Sequence, residues 1–151
     1  MPTPIRGLGE IALQVNDMDA MIDFYQRIVG LNLLRRFPDN GPAFFRIADG
    51  VGGHTQVLAL FDHGARPATV HRRPPLDHIA FGINRDDFDA EKARVAALGI
   101  PVSTATHPWV QWRSFYIDDP EGNQVEWVCY DPSIEIAGWS PIRDRTDTRR
   151  Q

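Results

Sequence analysis

Apolar and polar residues alternate over Glu10-Ile11-Ala12-Leu13-Gln14-Val15. That period places Ile11, Leu13 and Val15 on one face and Glu10, Ala12 and Gln14 on the other, as in a half-buried strand. The pattern returns later in the chain. Leu8-Gly9-Glu10-Ile11-Ala12-Leu13-Gln14-Val15-Asn16 aligns with Leu76-Asp77-His78-Ile79-Ala80-Phe81-Gly82-Ile83-Asn84, keeping Leu, Ile, Ala and Asn and exchanging Leu for Phe and Val for Ile. Such an internal repeat constrains architecture more than propensity does, because both copies must build the same unit. Met18, Met21, Ile22, Tyr25, Ile28 and Val29 then predict a helix over 18–29, and Phe88, Ala93, Val95 and Leu98 predict one over 87–98. Gly30 and Gly99 stand where a left-handed cap stops a helix, with Asp17 or Asp19 and Asp86 or Asp87 as N-cap or first-turn acids. Three strands follow each glycine, at about 32–37, 42–48 and 55–62 and at about 101–106, 112–118 and 123–130. Asp39-Asn40-Gly41 and Asp119-Pro120-Glu121-Gly122-Asn123 read as turns.

The expected architecture is α+β, a single domain over 1–151 made of two βαβββ modules at about 7–62 and 76–131. A linker, 63–75, joins them, and a tail, 132–151, ends in charged residues. A four-stranded sheet with one helix leaves a face open, so the modules are expected to form a curled mixed sheet around a shared cleft, within one chain or across a dimer. With 42% hydrophobic and 24% charged residues, the 151-residue chain has a normal core and a normal solvated surface. Its net charge of -4, without a basic stripe interleaved with aromatics, argues against nucleic acid as a partner. No apolar run approaches the roughly 18 residues of a membrane span. The opening residues MPTPIRGLGE lack a signal peptide's apolar stretch, so a cytoplasmic location is expected. The single Cys129 has no internal disulfide partner.

If the modules are pseudo-symmetric, positions 10 and 78 on the first strands converge with 58 and 126 on the last strands. Those positions hold Glu10, His78, Leu58 and Glu126. Two carboxylates and an imidazole suit a divalent ion of intermediate hardness, Fe(II), Mn(II), Ni(II) or Zn(II), with positions left open for substrate. Taken singly, Glu10 also reads as an exposed edge-strand acid and His78 as a hydrogen-bonded structural histidine. Glu126 is harder to place otherwise, because Val125 and Trp127 flank it in a strand that reads as buried.

Residues 7 to 131 resemble the vicinal oxygen chelate superfamily, which includes glyoxalase I, fosfomycin-resistance thiol transferases, bleomycin-binding proteins and type I extradiol dioxygenases. The resemblance is carried by Leu8-Gly9-Glu10-Ile11, Val15-Asn16-Asp17-Met18, Asp23-Phe24-Tyr25, Leu76-Asp77-His78-Ile79-Ala80-Phe81 and the stretch from Phe115 to Glu126 containing Asp118-Asp119-Pro120-Glu121-Gly122-Asn123. It implies that Glu10, His78 and Glu126 hold a divalent metal, with Fe(II) or Mn(II) favoured and Ni or Zn as alternatives. Glyoxalase I-like enzymes carry a fourth ligand where this chain has Leu58, and the thiol transferases' serine-rich loop has no counterpart between His107 and Arg113. The second module is most similar to the extradiol enzymes, through the spacing of His107, Tyr116 and Glu126.

That likeness implies acid/base work for His107 and substrate orientation for Tyr116, with a catechol-like or enediol substrate on the metal and a dioxygenase-like oxidoreductase activity. Ser114, Tyr116 and Asp118 share a strand face, so Tyr116 can point at a cleft that Glu126 enters from the next strand. His107 also reads as a loop histidine before Pro108, and Tyr116 as a wall aromatic. The extradiol pattern has a histidine where Glu10 stands, and the extra negative charge weakens the metal's Lewis acidity. The alternatives are a glyoxalase- or epimerase-type lyase or isomerase, and a non-catalytic binder of an aromatic compound. Trp109, Trp112, Trp127 and Phe44 are stacking candidates for the binder, with Trp127 more readily placed in the core. A small-molecule ligand and a homodimer are expected, with Trp139 a candidate contact and Arg46 and Arg113 candidates for an acidic substrate group.

Overall fold

The computed structural model describes residues 5–64 and 76–137, so most of the linker and the tail carrying Trp139 lie outside the described residues. In chain order the elements are β1 (Glu10–Val15), α1 (Met18–Asp23), a π-helical turn (Phe24–Ile28), β2 (Asn32–Arg36), β3 (Ala43–Asp49), a 3-10 turn (Val51–Gly53) and β4 (Thr55–Asp62). The second series is β5 (His78–Gly82), α2 (Arg85–Ala96), β6 (Ser103–His107), β7 (Trp112–Asp118) and β8 (Gln124–Tyr130). They form two four-stranded mixed sheets, ordered β1-β4-β3-β2 and β5-β8-β7-β6, which is the expected pair of βαβββ modules in an α+β chain. The chain divides into two compact units: Met1–Asp77 with Asp118–Gln124, and His78–Ile117 with Val125–Gln151. The β7–β8 turn thus packs with the first unit.

In the first unit β1 runs parallel to β4, with Glu10 opposite Val57, Ile11 opposite Leu58 and Leu13 opposite Leu60. Cross-strand partners share a face. Leu13, Val15, Phe45, Leu58 and Leu60 therefore make one buried face, against which the helical segment sets Met21, Ile22 and Tyr25. Each such side chain, fully removed from water, contributes about 1.5–3 kcal/mol before the entropy of ordering it. The other face carries Glu10, Ala12 and Gln14 with Val57, Ala59 and Phe61.

The predicted helix over 18–29 changes character halfway. Asp17 caps its start, its Oδ1 accepting from Ala20 N at 3.0 Å. After Asp23 the turn widens, so that Val29 N donates to Phe24 O at 3.0 Å across five residues. The wider turn buries the consecutive Phe24 and Tyr25 together, their rings edge to face at 5.2 Å. Gly30 and Gly99 have φ of +86° and +77°, as left-handed caps require. The cap of α2 is Asn84, and Asp86 and Asp87 sit in its first turn. β6 starts at Ser103, two residues later than expected, where Pro101 has no N–H to give a ladder.

In the second unit α2 sets Phe88 edge-on against Phe115 at 5.4 Å. Phe115 in turn stacks on Trp127 at 4.7 Å and 9°. Trp127 is a core residue at 2% exposure, which removes it from the candidate stacking walls.

Tyr25 ties the first unit's helix to the β7–β8 turn. Its hydroxyl donates to Asp119 Oδ2 at 2.9 Å, with both residues buried. Asp119 Oδ1 also accepts from the backbone N–H groups of Glu121 and Asn123, each at 2.9 Å, and its Oδ2 accepts from Asn123 Nδ2 at 2.8 Å. Nearby, Glu121 Oε1 accepts from Asn16 N at 2.6 Å and Asp17 N at 2.8 Å, just ahead of α1. Burial first, and then the charge of Asp119, push the Tyr25 phenol far above its ordinary pKa, so it remains a donor. Tyr25→Phe leaves the Asp119 carboxylate one donor short and is expected to lower stability by about 1–3 kcal/mol in urea denaturation. An unchanged midpoint contradicts this role.

Candidate metal and substrate site

Strand pleat and register assemble the candidate site on one face of the second sheet. β7 alternates Trp112, Ser114 and Tyr116 on this face with Phe115 and Ile117 in the core. β6 pairs antiparallel with it, setting His107 opposite Trp112, Ala105 opposite Ser114 and Ser103 opposite Tyr116. On β8, Val125 and Trp127 enter the core, so the pleat turns Glu126 to the same side as Ser114 and Tyr116.

Three polar side chains meet the Glu126 carboxylate, and a fourth, His107, joins through Tyr116. Its Oε1 accepts from the Ser114 hydroxyl in a very short hydrogen bond and from the Tyr116 hydroxyl at 3.2 Å. Its Oε2 lies 3.1 Å from His78 Nε2. His107 Nε2 lies 3.2 Å from the Tyr116 oxygen. A phenol has one proton; with that proton on the bond to Glu126, His107 Nε2 carries the hydrogen shared with Tyr116. Burial does most to raise the Tyr116 pKa; the neighbouring Ser114 hydroxyl opposes this, and the charge and hydrogen bond of Glu126 add to it. Glu126 is only 5% exposed, yet among the described residues no lysine or arginine forms an ion pair with it. Hydrogen bonds and an imidazole carry a buried charge that would otherwise cost several kcal/mol.

The structure thus brings together His78, His107, Tyr116 and Glu126 of the predicted set. Glu10 is exposed on the open face of the first sheet and belongs to the other compact unit. Among the described residues no group of three or more His, Cys, Asp or Glu side chains stands together to hold an ion. The pair of His78 and Glu126 nonetheless fits one. Two ligand atoms each about 2.1 Å from an ion and at right angles to one another lie about 3 Å apart, close to the observed 3.1 Å.

Leu58 is a correction. It pairs with Ile11 and Phe45 on the helix-covered face and is fully buried, so it is not the counterpart of Glu126; Val57 and Ala59 share the face of Glu10. A shift of one residue between the repeats reverses which face a strand position occupies. Arg46 pairs with Asp49 at 2.5 Å, and Arg113 with Asp89 at 2.9 Å and Asp131 at 3.7 Å. Trp109 and Trp112 are 53% and 43% exposed with ring centroids 6.3 Å apart, and Trp112 shares the face of the site. Phe44 lies edge-on between Phe37 and Phe61 in the first unit. The sequence places Ser114 on the face of Tyr116, a small hydroxyl two residues before the tyrosine, and the structure adds its contact with Glu126.

Fold and site together define a two-module βαβββ protein in which a buried carboxylate lies beside an imidazole on one face of the second sheet. The chain belongs to the Glyoxalase/Bleomycin resistance protein/Dioxygenase superfamily, whose family model matches residues 7–127. A glutathione transferase, FosA of Serratia marcescens, is 25% identical over 126 residues, covering 81% of this chain and 79% of that protein. The crystal structure of a lactoylglutathione lyase from Agrobacterium tumefaciens is similar at 32% identity and a TM-score of 0.60, over 83% of this chain and 95% of that one. A glyoxalase/dioxygenase from Nostoc punctiforme is similar at 27% identity and a TM-score of 0.60, over 83% and 92%.

The acid that engages Arg113 also supplies a pH test. Asp131 accepts from Ser133 Oγ at 2.6 Å and Ser133 N at 3.0 Å, and its Oδ1 lies 3.0 Å from Arg85 Nε. The Ser133 hydroxyl does most to hold its carboxyl below the usual range; burial opposes this, and the Ser133 amide, Arg85 and Arg113 assist. A depressed folded-state pKa gives stability that is present above the unfolded value and lost as pH falls through the folded one. The stability gap between the native chain and Asp131→Asn is therefore expected to be largest near neutrality and to narrow below about pH 4. A gap independent of pH in urea denaturation contradicts this.

Proposed function

We propose that the chain is a metal-dependent enzyme of dioxygenase-like type, acting on a small substrate with two adjacent oxygens, catechol-like or enediol. The observation that carries this reading is the row His107, Tyr116, Glu126 and His78, in which the outer pairs lie 3.2 and 3.1 Å apart. His78, Glu126 and Glu10 are proposed as the metal ligands. The bound ion, Fe(II) or Mn(II) before Ni or Zn, would act as a Lewis acid that draws together and neutralises the substrate's oxygens. Glu10 in place of a histidine adds negative charge to that ligand set and softens this pull.

The residues of the row have distinct tasks. Tyr116 donates its phenolic hydrogen, in the unliganded protein to Glu126 Oε1, and on substrate binding is available to orient an oxygen held nearby. His107, within hydrogen-bond reach of that phenol, exchanges protons with the substrate side of the site. Trp112, on the same face and partly exposed, offers an aromatic wall. The protein is proposed to work as a cytoplasmic homodimer on a small molecule.

A lyase or isomerase reading is the second, favoured by the likeness to a lactoylglutathione lyase; the glutathione transferase likeness extends it to thiol addition. A pure binder of an aromatic compound predicts ligand affinity that is unchanged without metal. Elemental analysis of chelator-free protein is expected to find about one divalent ion per chain and none retained in Glu126→Ala. Full occupancy in that variant contradicts the ligand role. With a catechol and the Fe(II)-loaded protein, oxygen uptake is expected, and His107→Ala should cut kcat about 10²- to 10⁴-fold at unchanged metal content. Metal-bound protein that consumes no oxygen with any catechol, yet isomerises or cleaves an enediol, moves the assignment to the second reading.

A further inference from the structure

The two oxygens of Glu126 are held unequally, and this decides how the carboxylate can meet an ion. We propose that Ser114 is a positioning residue that makes Glu126 a one-oxygen ligand, so that the site favours small first-row divalent ions over calcium. The inference rests on the reading of Glu126 and His78 as ligands. Ser114 is 1% exposed and gives its only hydroxyl hydrogen to Oε1, the same oxygen that accepts from Tyr116 at 3.2 Å. Two O–H donors fill the in-plane acceptor sites of Oε1. Oε2 is the oxygen turned to His78, at 3.1 Å. An ion entering beside the imidazole therefore meets one carboxylate oxygen.

Denticity bears directly on the choice of ion. Calcium gathers six to eight oxygens and readily takes both oxygens of a carboxylate, whereas imidazole with a single carboxylate oxygen suits the first-row metals. Alanine is smaller than serine and can occupy the strand position opposite Ala105; what it removes is the donor to Oε1.

The test compares native protein with S114A and S114T, each freed of metal and titrated calorimetrically with Mn(II), Ni(II) and Ca(II) in turn. Loss of the outer hydrogen bond is expected to weaken Mn(II) and Ni(II) binding about tenfold or more. It should also narrow the preference over Ca(II), while S114T, which keeps the hydroxyl, restores both. Infrared difference spectra of the Mn(II) form should show the two carboxylate stretches closer together in S114A, as a bidentate carboxylate requires. S114C, nearly isosteric but a weak donor, supplies the same contrast if alanine lowers the yield of folded protein. Native-like Mn(II) affinity and ion preference in the hydroxyl-less variants overturn the role of Ser114 and leave the ligands in place. Native protein that takes up no divalent ion overturns the metal reading and this inference together.

Discussion

The second sheet is organised around a carboxylate that has left water with, among the described residues, no lysine or arginine paired to it. Glu126 sits between two core residues on β8, and its charge is met by the hydroxyls of Ser114 and Tyr116 and the imidazole of His78. Each partner is placed by strand geometry: the pleat of β7 brings two hydroxyls to one face, and β5 supplies the histidine at its first residue. A hydrophobic residue at position 126 would be the cheaper solution for folding alone. The acid is retained with one oxygen bonded to two hydroxyls and the other turned to an imidazole, the arrangement on which the proposed ion site rests.

The hairpin that carries this arrangement has its turn anchored in the first unit. Asp119 gathers four donors, among them the buried Tyr25 hydroxyl, and Glu121 collects the two amides ahead of α1. The π-helical widening after Asp23 allows Tyr25 to be buried alongside Phe24.

The repeat of strand, helix and three strands was readable because each half has its own alternating face, helix period and capping glycine. The gathering of His107, Tyr116 and Glu126 was legible from strand pleat together with family likeness. What sequence could not supply was register. Leu58 aligned with Glu126 by counting, but β4 presents Val57 and Ala59 to the face of Glu10 and sends Leu58 to the helix-covered face. Nor could it show that Arg113 is engaged by Asp89 and Asp131, since those partners depend on tertiary placement. The Tyr25 hydroxyl and Asp119 are likewise far apart in the chain, and nothing local marks them as partners.

The most direct measurement of the central claim is anomalous diffraction at the metal edge from crystals of Mn(II)-loaded protein. One peak about 2.0–2.2 Å from both Glu126 Oε2 and His78 Nε2, with Oε1 still bonded to Ser114 and Tyr116, is the result expected. Loaded crystals with no peak at that position, and with the contact between His78 and Glu126 intact, would contradict it.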